Sequence, residues 1–205
     1  MKKLFIITLV ILTALYILPR IKILKEKSFP YTYDQGRDFL KVEEIVKYKN
    51  LTFIGHTTGI QGIYHGAWWY YYLSIPYILT NGDPTAFAFW IFISQFLVFL
   101  TFTFLIKKEF GEIPVLFFLS LVTFSSYFIN MSTFVINSGF TFPFILLFFY
   151  SLYKLININR PKYYFLLFLA TGFIWEAEFA LGIFLLPSLI LTFLFLKKTK
   201  ELVLN

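Results

Sequence analysis

The chain has 205 residues, 59% of them hydrophobic and 23% aromatic, with only 14% charged. Soluble domains are about 45–50% apolar and about 25% charged, so this composition excludes an ordinary soluble domain and implies an all-α polytopic membrane protein. The net charge of +7 comes mainly from lysines and arginines beside apolar runs, where they orient helices rather than mark a nucleic-acid partner; the lack of cysteine excludes disulfides and thiolate metal sites.

The first predicted element is "MKKLFIITLVILTALYILPR". It has a basic start and an apolar run over residues 4–18. No small-x-small cleavage site follows, so an uncleaved signal-anchor helix is expected. A long loop, residues 19–86, comes next.

Within that loop, "YTYDQGRDFLKVEEI" turns helical. Phe39, Val42 and Ile45 recur at spacings of three and four and give one apolar stripe. The stripe predicts a helix lying on the membrane surface. Asp34 is placed as its N-cap and Asn50 as its end. Asp34 and Asp38, four apart, share a face of the first turn, with Arg37 beside them and Lys41 one turn on. Carboxylates at a helix start are favoured by the helix dipole. The spacing alone leaves two readings open for Asp34: a plain cap, or a reactive base.

The following stretch, "FIGHTTGIQGIYHGAWWYYYLSIPYILTNGDP", is read as a glycine-rich loop and then an interfacial aromatic segment over residues 68–79. It lacks the Gly-Lys-Ser/Thr ending of a phosphate-binding Walker loop. His56 and His65 are candidate ligands or bases. Rings such as Tyr70 can stack on a sugar face, and a membrane-interface belt explains them equally.

Five more spans are expected, at about 87–106, 113–129, 140–156, 163–175 and 179–196. The basic clusters Lys2/Lys3, Lys107/Lys108, Lys154/Arg160/Lys162 and Lys197/Lys198/Lys200 then fall on one side, so both termini are predicted to be cytoplasmic. Residues 1–205 are read as a single transmembrane domain. Its polar side chains gather on the outer face: Asp34, Asp38, His56, His65, Asp83, Asn130, Asn137, Glu176 and Glu178. In "WEAEF", Glu176 and Glu178 interrupt an apolar stretch. They are either functional acids at membrane depth or a tight solvated turn. Asn137 stands just before the fourth span, as a cap or a ligand.

The pieces "YDQGRD", "HGAWWYYYLSIP", "GDP", "FVINSGFTFPFILL" and "GFIWEAEFALGIFLLP", in that order after a first helix, resemble the GT-C membrane glycosyltransferases. The similar branch is the protein O-mannosyltransferase and aminoarabinose lipid A transferase-like group. The resemblance implies a GT-C-like helix bundle, with this chain as its N-terminal part, and an active site on the extracytoplasmic side of the plasma membrane. It implies sugar transfer, with inversion, from a polyprenyl-phosphate-linked donor to a lipid, glycan or protein acceptor. Asp34 would be the general base, with Asp38 as a second acid. Arg37, Lys41, His56, His65, Tyr70, Asn137, Glu176 and Glu178 would bind substrate. A divalent metal is left open. The chain departs from the family pattern at Gln35, where a second acid is usual, and at Glu176 and Glu178, where a Gln/His pair is usual. Two other functions are compatible with the sequence. One is a transporter or flippase for a lipid-linked or sugar substrate, coupled through Glu176 and Glu178. The other is a non-catalytic membrane scaffold.

Overall fold

A computed structural model describes residues 2–158 and 160–204, with side chains up to residue 194. Lys197, Lys198 and Lys200 therefore lie outside the described side chains. The chain is mainly helical. Its elements are α1 (Lys2–Lys25), α2 (Tyr33–Tyr48), β1 (Ile54–Thr57), β2 (Tyr64–Gly66), α3 (Trp68–Thr80), α4 (Pro84–Phe110), α5 (Glu112–Phe124), α6 (Ser126–Met131), a 3-10 turn (Ser138–Thr141), α7 (Phe142–Ile158), α8 (Pro161–Ala177) and α9 (Phe179–Leu204). Three helical stretches are long and apolar enough to cross a membrane: Lys2–Lys25, Pro84–Phe110 and Ser138–Ile158. Glu112–Phe124 and Phe179–Leu194 are shorter apolar helices.

The chain divides into two compact units, Met1–Thr52 with Tyr70–Phe140, and Phe53–Trp69 with Thr141–Asn205. In the first unit α1 packs on α4 and α5. Phe5 and Leu12 of α1 are buried with Val115 and Leu119 of α5. Lipid tails are as apolar as these side chains, so close packing rather than water exclusion holds such helices together. Tyr16 illustrates this: its ring stacks on Phe96 at 5.8 Å and meets Phe99 edge-on at 5.1 Å.

Helix α1 runs seven residues past the predicted end at Leu18, through Pro19. Proline donates no backbone hydrogen bond, so the helix continues here with one bond fewer. The next side chain, Arg20, ties this end of the helix to the rest of the unit. Expected in the outer loop, Arg20 instead lies inside α1 and is wholly buried. One guanidinium N–H returns to the Tyr16 carbonyl at 2.7 Å, another reaches the Val122 carbonyl at 3.0 Å, and Nε donates to Ser132 Oγ at 2.9 Å. The guanidinium also covers the Tyr16 ring, 3.7 Å from its centroid.

Those contacts explain a second departure. The expected span over 113–129 is broken at Ser125, which takes an extended backbone (ψ 122°) between α5 and α6. A break frees carbonyls that lipid cannot satisfy. Val122 is one of the last α5 residues, and the Arg20 guanidinium caps its carbonyl.

The apolar stripe of α2 does not face lipid. Val42 and Ile45 are buried within the first unit, and Phe39 stacks on Phe87 of α4 at 4.1 Å. Protein packing competes for the same face that a bilayer would take. The helix also ends earlier than expected: it stops at Tyr48, and Lys49 takes the left-handed conformation (φ 56°).

In the second unit, Phe148 and Leu155 of α7 pack with Leu167 and Ile174 of α8 and Leu189 of α9. The stretch expected to be a loop contains a short antiparallel hairpin, with Ile54 opposite Gly66 and Thr57 opposite Tyr64. Glycine permits the close approach of its strands: a Cβ at Gly55 would lie 2.5 Å from the Gly66 carbonyl oxygen. Helix α3 covers the predicted aromatic segment, one residue longer.

Candidate functional site

The start of α2 differs in detail from the expectation. Thr32, not Asp34, is the N-cap residue. Gln35, three residues on, closes the turn: its Oε1 accepts from Thr32 N–H at 2.6 Å and from Thr32 Oγ1 at 2.8 Å. Gln35 Nε2 then donates to the Val135 carbonyl at 2.9 Å. The side chain is fully buried, so this amide fixes both the helix start and its position in the first unit. A carboxylate there could accept from Thr32 but could not donate to Val135. An amide rather than a carboxylate at position 35 thus has a structural reason.

With capping done by Thr32 and Gln35, Asp34 is available for other contacts. Arg37 holds both acids. Its Nη1 is 3.0 Å from Asp34 Oδ1, while Nε and Nη2 each lie 2.9 Å from Asp38 Oδ1. The two carboxylates are not equivalent. The Asp38 side chain is 2% exposed and that of Asp34 is 46% exposed. Asp38 is a buried counter-charge to Arg37, and Asp34 is the one open to solvent.

Beside this clamp lies a groove of about 740 Å³, lined by Tyr31, Tyr33, Gly36, Arg37, Lys41, Tyr70 and neighbours. Arg37 is on its wall; Asp34 and Asp38 are not, and connect to it through Arg37. Lys41 is tied to Glu44 at 2.8 Å. Tyr70 is nearly buried. Burial, and then the Asp38 carboxylate, push its phenol up to about 12, with Arg37 pulling the other way. It stays protonated near neutral pH and offers a hydroxyl donor rather than a base. The groove therefore combines aromatic walls, a phenol, and the paired charges of Arg37, Lys41 and Glu44: surfaces that suit a polar ring such as a sugar.

Six of the predicted site residues lie in the first unit. Asp34, Arg37 and Asp38 form the clamp, and Lys41 and Tyr70 line the groove with Arg37. Asn137 is nearly buried, its carbonyl accepting from Phe140 N–H at 3.0 Å just before the 3-10 turn. The other four belong to the second unit. The rings of His56 and His65 face each other across the hairpin, 4.3 Å between centroids. His65 Nδ1 is 3.1 Å from the Glu176 carbonyl oxygen, so Nδ1 carries the proton. The Glu176 side chain presses on Gly66, where any Cβ would collide with it. Glu176 is the next-to-last residue of α8, and Glu178 is the one residue between α8 and α9. Among the described residues, no three His, Cys, Asp or Glu side chains stand where they could hold a metal ion.

Thr32, Gln35, Gly36 and the tyrosines at 31 and 33 were not among the expected site residues. The Thr-x-x-Gln spacing of a capping box was the signal that pointed to the first two. No family profile, curated protein or solved structure matches the chain.

Proposed function

We propose that the chain is a multi-pass membrane glycosyltransferase of the GT-C kind, with both termini cytoplasmic and its α2 groove on the outer side of the plasma membrane. The observation that carries this reading is the Arg37 clamp, holding a half-exposed and a buried carboxylate beside a 740 Å³ groove whose aromatic walls also carry Lys41 paired with Glu44. The donor is a sugar on polyprenyl phosphate, kept at the interface by its lipid. An acceptor hydroxyl attacks the anomeric carbon and the bond from that carbon to the phosphate oxygen breaks, with inversion. Asp34 takes the hydroxyl proton. Polyprenyl phosphate leaves as an anion, and Arg37 and Lys41 on the groove wall oppose its charge. Tyr70 donates a hydrogen bond to substrate, and Asp38 keeps Arg37 in place.

The role of the groove can be tested at Gly36. A Cβ there meets only the Tyr31 hydroxyl, at 3.9 Å, so a larger side chain has room to project into the groove. Gly36→Trp is expected to reduce sugar transfer from polyprenyl phosphate at least tenfold while thermal unfolding stays near wild type; Gly36→Ala should remain active. Wild-type transfer rates with Trp at this position would remove the groove from the reaction.

A further inference from the structure

Residues 51–82 contain no Asp, Glu, Lys or Arg. Soluble chains are about 25% charged, so about eight such residues are expected over this length. The change is abrupt: the shorter stretch of residues 34–49, just before it, holds Asp34, Arg37, Asp38, Lys41, Glu43, Glu44, Lys47 and Lys49. The charge-free stretch begins with the β1–β2 hairpin of the second unit, and large apolar side chains there face outward. Phe53 is 92% exposed, Ile54 57%, Ile60 in the turn 52% and Tyr64 51%. Such a patch marks a surface that something covers.

Two further observations identify the cover as lipid. The base of the hairpin is fastened to the ends of apolar helices. Trp68, two residues after β2, meets Phe144 in the first turn of α7 edge-on at 5.9 Å, and Phe173 of α8 at 5.4 Å. His65 Nδ1 donates to the Glu176 carbonyl, near the end of α8, at 3.1 Å. Helix α7 belongs to the stretch Ser138–Ile158, which is long and apolar enough to cross a membrane, so the hairpin starts where that helix leaves the hydrocarbon. The turn also closes on itself. Thr58 N–H donates to the Ile63 carbonyl at 3.0 Å, Ile63 N–H to the Ile60 carbonyl at 3.1 Å, and Ile60 N–H to Thr58 Oγ1 at 3.1 Å. Thr58 Oγ1 donates in turn to the Ile63 carbonyl at 3.0 Å. Backbone that reaches lipid must find its partners within the protein, and this turn does. We propose that the hairpin is a membrane-interface anchor, lying in the boundary between lipid headgroups and acyl chains with Phe53, Ile54 and Ile60 inserted. A protein partner would meet the same side chains, but protein interfaces surround their apolar centre with a polar rim, and this stretch offers no charge for one. The lipid boundary asks for aromatic and aliphatic side chains and penalises charge. The anchor does not depend on the glycosyltransferase reading.

The chain has no cysteine, so single cysteines can carry the environment-sensitive fluorophore NBD without background. The test uses the full chain in nanodiscs of phosphatidylcholine and phosphatidylglycerol. Labels at Phe53→Cys and Ile60→Cys are expected to emit blue-shifted from water and to lose about half their intensity when lipid spin-labelled high on the acyl chain is added. A label at Lys47→Cys, on the charged face of α2, should keep its aqueous emission. Adding Ile60→Asp to the Phe53→Cys protein should cut the quenching about twofold, because a carboxylate resists the lipid boundary. Tyr64→Cys supplies a further position should Phe53→Cys fail to fold. Aqueous emission at Ile60, quenching as strong at Lys47 as at Ile60, or quenching unchanged by Ile60→Asp would each overturn the anchor.

Discussion

Arg37→Ala is expected to destabilise the first unit by about 3–5 kcal/mol and to abolish sugar transfer with it. The stability loss follows from Asp38. Its side chain is 2% exposed, and Arg37 approaches its Oδ1 with two nitrogens at 2.9 Å. Removing a cation from a buried pair leaves the carboxylate short of compensation, and such losses run at about 3–5 kcal/mol. The Asp34 contact contributes far less, because that carboxylate is 46% exposed and solvent screens the pair. Two further variants separate the terms. Arg37→Ala combined with Asp38→Asn should recover much of the stability and none of the activity. Asp34→Ala alone should change stability by less than about 1 kcal/mol. Chemical unfolding in mild detergent reads all three. Equal stability of Arg37→Ala and wild type would mean that Asp38 does not depend on this clamp.

Arg20→Ala is expected to cost about 2–4 kcal/mol in the same unit. Hydrogen bonds to charged groups contribute about 1.5–3 kcal/mol each, and Arg20 makes three, besides its contact with the Tyr16 ring. Burying a cation at the end of an apolar helix is itself unfavourable, so removing it returns part of that sum. What remains is the loss of a cap on Val122 at the α5 break and of the tie to Ser132. Arg20→Lys should recover little, because an ammonium on a flexible stem does not reproduce the fork that meets three separated acceptors. Unfolding of the reconstituted protein by increasing detergent strength would report the change; a wild-type midpoint for Arg20→Ala would show that the α5 break holds without it.

The long apolar runs made α4 and α7 to α9 legible, and the three- and four-residue spacing after Thr32 located α2. What the residues did not show is instructive. Arg20 follows Pro19, and a proline ordinarily marks the end of a helix, so the charge was assigned to a loop; a hydrogen-bond network reaching residues 122 and 132 keeps the helix going instead. The break at Ser125 has apolar sequence on both sides, so hydropathy passes straight over it. The hairpin at residues 54–66 lacks alternating polarity, because close contact at Gly55 and Gly66 rather than a buried face brings its strands together. The α2 stripe was visible, but not whether lipid or protein would cover it. At the site, the sequence offered an acid pair with an arginine between. The division of labour between them, Asp38 buried and Asp34 open, depends on packing against distant segments and could only come from the fold.

The central claim is that Asp34 takes a proton during sugar transfer at the outer membrane face. Its most direct test is transfer of labelled sugar from polyprenyl phosphate to an acceptor by the full chain in liposomes, wild type against Asp34→Asn. The substitution keeps the size of the side chain and one oxygen that can accept from Arg37, but neither its charge nor its basicity. A fall of about 10²- to 10⁴-fold with an unchanged unfolding midpoint is the predicted result; transfer by Asp34→Asn at the wild-type rate would contradict it.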